Sequence, residues 1–142
     1  MKGKGLVIDT SVAVKWVNKQ DENYTEQSDM ILRDVQEEKK YIIMPELAKY
    51  EIGNALLYKQ MPFQNTLGSL ATYYSIPVQF VPQNQQQAQD TMRIAHENEI
   101  TFYDATFITL AREQRAELVT DNPKHQKKNI TGVKITSLKD YR

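Results

Sequence analysis

The chain has 142 residues, with 18 Lys or Arg, 18 Asp or Glu, no cysteine and 40% hydrophobic residues. This fits a single domain over residues 1–142 with one core, and it excludes a disordered chain, nucleic-acid binding by bulk positive charge, disulfides, metal–thiolate sites and cysteine nucleophiles. With no cysteine, no secretory h-region and no apolar run near the ~20 residues of a bilayer span, the expected place is the cytoplasm, away from membranes.

Residues 5–9, Gly-Leu-Val-Ile-Asp, form a short apolar run ending in a polar cluster, which predicts a buried strand. Asp9, Thr10 and Ser11 offer N-caps for a short helix over 12–17. Residues 22–40 carry Met30, Ile31, Leu32 and Val35 among polar residues and predict an amphipathic helix. A strand follows over 41–44, and Pro45 is expected to open a helix over 46–59. Residues 62–75 predict one or two helices with Gly68 as a weak point, and 78–81 a third strand between prolines. Ala88, Met92 and Ala95 at helical spacing make the glutamine-rich stretch one face of a surface helix. A helix over 101–116, a strand over 116–120, a turn at Asn122-Pro123 and a last strand over 133–136 complete the chain.

Strands alternating with helices predict a parallel sheet covered by helices on both faces, with the site at the carboxyl ends of the strands. Asp9 and Asp121 stand at such ends. The chain lacks a P-loop, a dinucleotide glycine fingerprint, a nucleophile elbow and a His-x-x-x-His pair. Carboxylates with a hard cation remain as candidate chemistry. Charge is also uneven. Residues 21–51 hold nine acids against four bases, and residues 112–142 eight bases against four acids. That is either solvated surface or a basic rim suited to a phosphate-bearing substrate.

Two acids fall on apolar helix faces. With Leu47 at 0° and about 100° per residue, Glu51 falls near 40°, between Leu47 and Ala55 near 80°. Either it sits at the sector edge and snorkels or pairs with a lysine, or it is held inward for chemistry. With Tyr103 at 0°, Asp104 falls near 100°, between Ala111 near 80° and Ile108 near 140°, while Thr106, Thr109 and Glu113 take the polar side. Asp104 also reads as a first-turn acid beneath Thr101. Asp9 reads equally as an N-cap, and Asp121 as a turn residue. Four such acids together point to a cation, because crowded carboxylates raise one another's pKa or recruit metal.

The motifs Val7-Ile8-Asp9-Thr10-Ser11, Pro45-Glu46-Leu47-Ala48-Lys49-Tyr50-Glu51, Tyr103-Asp104-Ala105-Thr106-Phe107 and Leu118-Val119-Thr120-Asp121-Asn122, in this order, resemble the PIN-domain nucleases. The resemblance is greatest to the ribonuclease toxins of VapC type, and it covers essentially the whole chain. It implies a three-layer α/β/α sandwich with a central parallel sheet and an acid cluster that binds Mg2+ or Mn2+ and hydrolyses RNA. By this resemblance Asp9 is the first acid, Glu51 the helical glutamate and Asp104 the acid opening the later helix, with Thr10, Ser11 and Thr120 in support. The family's Thr-x-Asp is not kept, because Asn122 holds the usual Asp position. Either Asp121 substitutes from one residue earlier or Asn122 orients a metal water.

On this reading Asp9 and Asp104 ligate the ion directly, Glu51 acts through water or on a second ion, and Asp121 with Asn122 closes the site. Lys124, Lys127 and Lys128 hold RNA phosphates or simply solvate a turn. Trp16 packs in the core or a dimer, or stacks on a base. The resemblance further implies a homodimer and a cognate antitoxin. The alternatives are a catalytically weak PIN-like module that binds RNA or protein, and a phosphohydrolase or receiver-like fold. The latter lacks its Asp-x-Asp or paired early acids here.

Overall fold

The computed structural model describes residues 3–127 and 129–142. In chain order the elements are β1 (Lys4–Ile8), α1 (Thr10–Val17), α2 (Thr25–Gln36), β2 (Lys40–Pro45), α3 (Leu47–Tyr58) and α4 (Phe63–Ser75). They are followed by β3 (Val78–Val81), α5 (Gln85–Asn98), α6 (Phe102–Gln114), β4 (Glu117–Thr120), β5 (Ile135–Ser137) and a 3-10 turn, Leu138–Asp140.

The strands form one five-stranded sheet in the order β3-β2-β1-β4-β5, and every pairing is parallel. Right-handed crossovers then decide the layers. The chain steps from β1 through β2 to β3 in one direction, which puts α1 to α4 together. The return to β4 puts α5 and α6 on the opposite face, with α6 against β1, β2 and β4. A sheet covered on both faces has no reason to alternate. Leu6, Val7 and Ile8 of β1 are accordingly all fully buried, as are Ile43 and Met44 of β2 and Leu118 and Val119 of β4. This is the α/β/α sandwich anticipated from the sequence.

Several boundaries differ. The helix expected over 22–40 is shorter, because Tyr24 (φ 58) and Glu38 (φ 59) adopt left-handed backbone that a continuous helix does not contain. Pro45 does not open α3. It ends β2, paired with Val81, and Glu46 N–H donates to the Val81 carbonyl at 3.1 Å, so the ladder holds the chain extended through the proline. Gly68 does not split α4, which runs unbroken past it. The last strand is shifted to Ile135–Ser137. Thr106 and Thr109 are buried rather than on a polar face, because α5 packs along that side of α6 and Thr91 Oγ1 donates to Thr109 Oγ1 at 2.9 Å.

Candidate active site

β1 neighbours β2 on one side and β4 on the other, and the chain leaves it in both directions. In open α/β sheets the crevice beyond the strand ends at such a reversal is where ligands sit. Here a cleft of about 330 Å³ opens at that point, lined by Asp9, Thr10, Ser11, Val14, Glu51, Asn54, Ala55, Asp104 and Asn122.

Asp9 follows β1 directly, and its N–H continues the ladder to the Val119 carbonyl at 3.0 Å. It also caps α1, so the capping reading holds, and the residue lines the cleft as well. The residue is 7% exposed, and its carboxylate is gripped on both oxygens. Oδ2 accepts from Ser11 N–H at 3.3 Å, Ser11 Oγ at 2.5 Å and Thr120 Oγ1 at 3.3 Å, while Oδ1 accepts from Gln126 Nε2 at 3.2 Å. Burial pushes the Asp9 carboxyl above its usual pKa, against these hydrogen bonds, which act to lower it.

Glu51 comes one turn into α3 and is half-buried. Among the described residues no lysine pairs with it; Thr10 Oγ1 donates to its Oε1 at 2.8 Å. Burial raises its pKa, the Thr10 hydrogen bond lowers it, and the charges of Asp9 and Asp104 raise it further. Asp104 stands in the first turn of α6, where its N–H donates to Thr101 Oγ1 at 3.0 Å. Burial and the charge of Asp9 raise its pKa, and Thr101 and His125 partly oppose them. The three carboxylates therefore feel one another across the cleft, as crowded acids do.

Asp121 is not brought into this group. Its Oδ2 lies 3.0 Å from Lys15 Nζ, and Asn122, not Asp121, lines the cleft. The expectation that Asp121 joins the acid cluster thus meets a competing partner, an ammonium only 1% exposed that requires counter-charge. Thr10, Ser11 and Thr120 all engage Asp9 or Glu51. Lys124 and Lys127 are exposed in the turn after β4, and Lys128 lies outside the described residues. Trp16 is buried, with Nε1 donating to the Ser28 carbonyl at 2.8 Å, as a core residue does.

Two residues around the site, Lys15 and Gln126, were not read from the sequence. Lys15 is one turn beyond Ser11 on α1, and that i+4 spacing was the available signal. Gln126 sits among lysines in a turn, with nothing local to mark it, yet it is buried against Asp9. The Nδ1 of His125 is 3.9 Å from Asp104 Oδ2.

Among the described residues no three carboxylate or imidazole groups close on one point as a ready-made metal cage. The donor set nonetheless suits a hard, hydrated cation that takes one or two carboxylates and keeps waters. Oxygen donors line the cleft, and no ion pair among the described residues neutralises Asp9 or Glu51.

The PIN domain family pattern matches residues 6–130 of this chain. Nothing among curated protein sequences matches it. In fold it is similar to VapBC2 from Rickettsia felis, bound to a DNA fragment from its promoter. There the TM-score is 0.68 at 17% identity, with 94% of this chain and 98% of that one covered. DNA-bound VapBC from Salmonella typhimurium gives a TM-score of 0.68 at 17% identity, covering 97% and 99%. VapC20 of Mycobacterium tuberculosis, a sarcin-ricin-loop-cleaving toxin, gives 0.60 at 15% identity, covering 80% and 86%. With the family pattern spanning β1 to the turn beyond β4, and the acids it brings together at the sheet's reversal, this chain belongs to the PIN domain family.

Proposed function

We propose that this protein is a divalent-cation-dependent endoribonuclease, acting as the toxin of a toxin–antitoxin pair. The observation that carries the reading is the meeting of Asp9, Glu51 and Asp104 in one cleft at the ends of β1 and β4, where burial raises each carboxyl and the neighbouring carboxylate charges raise Glu51 and Asp104 further. Asp9 and Asp104 would hold Mg2+ or Mn2+ directly, with Glu51 in reach through water. A bound cation supplies Lewis acidity and charge neutralisation at phosphorus. The chain's own residues do the rest. Ser11, Thr120 and Gln126 fix the Asp9 carboxylate, Thr10 fixes Glu51, and the exposed Lys124 and Lys127 in the turn beside the cleft offer phosphate contacts to RNA.

The VapBC neighbours are toxin–antitoxin assemblies, and they support an antitoxin partner for this chain. Tyr50, Leu57 and Tyr58 on α3 and Phe63, Leu67 and Tyr74 on α4 are exposed apolar side chains on two packed helices, a surface suited to such a partner. Pairing of two copies is the accompanying proposal, and a mass measurement by light scattering checks it.

The decisive experiment is cleavage of structured RNA with Mn2+. Cleavage is expected to vanish with chelator and to fall by about a hundredfold or more in Asp9→Asn and Asp104→Asn. One observation favours a second reading, a PIN-like module that binds RNA or protein without cutting it. The acid of the last motif is engaged by Lys15, and the neutral Asn122 faces the cleft. Wild-type protein that binds RNA but leaves it intact with Mn2+ would establish that reading instead.

A further inference from the structure

Asp121 follows β4 directly, but its carboxylate pairs with Lys15 and does not line the cleft. Lys15 Nζ lies 3.0 Å from Asp121 Oδ2 and 2.8 Å from Glu22 Oε1, and Lys59 takes the other Glu22 oxygen at 2.8 Å. Glu22 is thus shared between two lysines, which leaves Asp121, among the described residues, as the one carboxylate that belongs to Lys15 alone.

The backbone of the same turn does something else. Asp121 N–H donates to Ser11 Oγ at 3.0 Å, and Asn122 N–H donates to Thr120 Oγ1 at 3.0 Å. A hydroxyl has one proton. Once its oxygen has accepted an amide N–H, that proton is directed to another acceptor, and for both residues the acceptor is Asp9 Oδ2. The turn therefore sets the polarity of the two hydroxyls that grip Asp9. Lys15 lies on α1, the helix Asp9 caps, so its ion pair with Asp121 ties the turn to the helix that carries Ser11.

We propose that Lys15 and Asp121 are positioning residues. Their ion pair holds the turn after β4 so that its amides orient Ser11 and Thr120 onto Asp9, and Asp121 itself takes no metal. The proposal rests on the nuclease reading only in taking Asp9 as a cation ligand.

Calorimetric Mn2+ titration and amide exchange in metal-free protein test it, on Lys15→Met, Asp121→Asn, the double variant and Tyr141→Phe. The last loses a hydrogen bond to Asp34 far along the chain and serves as the control for lost stability. Both single variants should weaken Mn2+ binding by roughly tenfold, in the range of changes behind a metal ligand. The double variant should be no weaker than either, exchange of the residue 121 amide should quicken, and Tyr141→Phe should leave Mn2+ affinity unchanged. Weaker binding in Asp121→Asn with unchanged or tighter binding in Lys15→Met would make Asp121 a ligand and overturn the proposal. If Lys15→Met does not fold, Asp121→Asn decides by exchange: a quicker residue 121 amide without metal supports positioning, and an unchanged one refutes it. Wild-type protein that binds no Mn2+ overturns the nuclease reading instead, and the exchange result still decides the positioning role.

Discussion

Gln126 places its amide nitrogen against Asp9 Oδ1 and leaves its own Oε1 buried without a partner among the described residues. The reverse orientation would set two acceptors face to face, so the carboxylate dictates how the amide lies. A buried acceptor left unpaired costs on the order of 1–3 kcal/mol. Gln126→Leu removes both that cost and the bond to Asp9, so unfolding free energy should change little, by about 1 kcal/mol or less. Asp9 would lose its only described donor on Oδ1, and Mn2+ affinity should fall by roughly tenfold. Denaturant titration alongside calorimetry checks both, and a large loss of stability with intact metal binding would show that Gln126 is merely structural. Gln126 was not legible in the sequence, because a glutamine in a lysine-rich turn takes its meaning from a contact with a residue 117 positions away. That Asp9, Glu51 and Asp104 would meet was legible from the set rather than from any one of them: Asp9 and Asp104 each have an ordinary capping or first-turn reading, but together with an acid on the apolar face of α3 they point to one cleft.

At the scale of elements, α4 carries Gly68 in its interior, exposed, with nothing within 4 Å of where a Cβ would stand. Glycine there costs backbone entropy without relieving any clash, so Gly68→Ala should stabilise the fold by about 0.5–1 kcal/mol, measured by chemical denaturation. A loss of stability would mean that the α4 face is covered. Helices and strands were recovered from periodicity, but their ends were less so, and the reasons are specific. Pro45 looks like a helix opener by its type, yet pairing with Val81 keeps it in the sheet. The polar face assigned to α6 failed because periodicity reports the residues of one helix and not the presence of α5 beside it. Hydroxyls such as Thr109 can enter a core when a second hydroxyl meets them.

For the whole molecule, pH and metal act on the same charges. Asp9, Glu51 and Asp104 are raised above 3.8, 4.5 and 3.8 when folded. The folded protein without metal therefore binds more protons than the unfolded chain between those values and the raised ones, and stability contributed by these groups falls as pH rises through that window. Glu22 runs the other way. Burial raises it, but Lys15 and Lys59 hold it below 4.5, so its contribution is present above 4.5 and lost as pH falls through the lowered value. A cation that binds the three acids competes with their protons. At neutral pH, Mn2+ at a hundred times its Kd should add about 2.7 kcal/mol of stability. That gain should shrink as pH drops into the carboxylate window, as thermal melts with Mn2+ and with chelator will show. An equal metal effect at acidic and neutral pH would remove the cleft as its source.

The single tryptophan sits on α1, the helix that begins at Asp9, and its ring nitrogen is tied to the backbone of α2. Nature has thereby placed the chain's single indole a few residues from the cleft, with no other tryptophan in the sequence. Any event that shifts the start of that helix should alter the emission of one indole, so occupancy could be followed by light in unlabelled protein, with no second emitter of that kind to subtract.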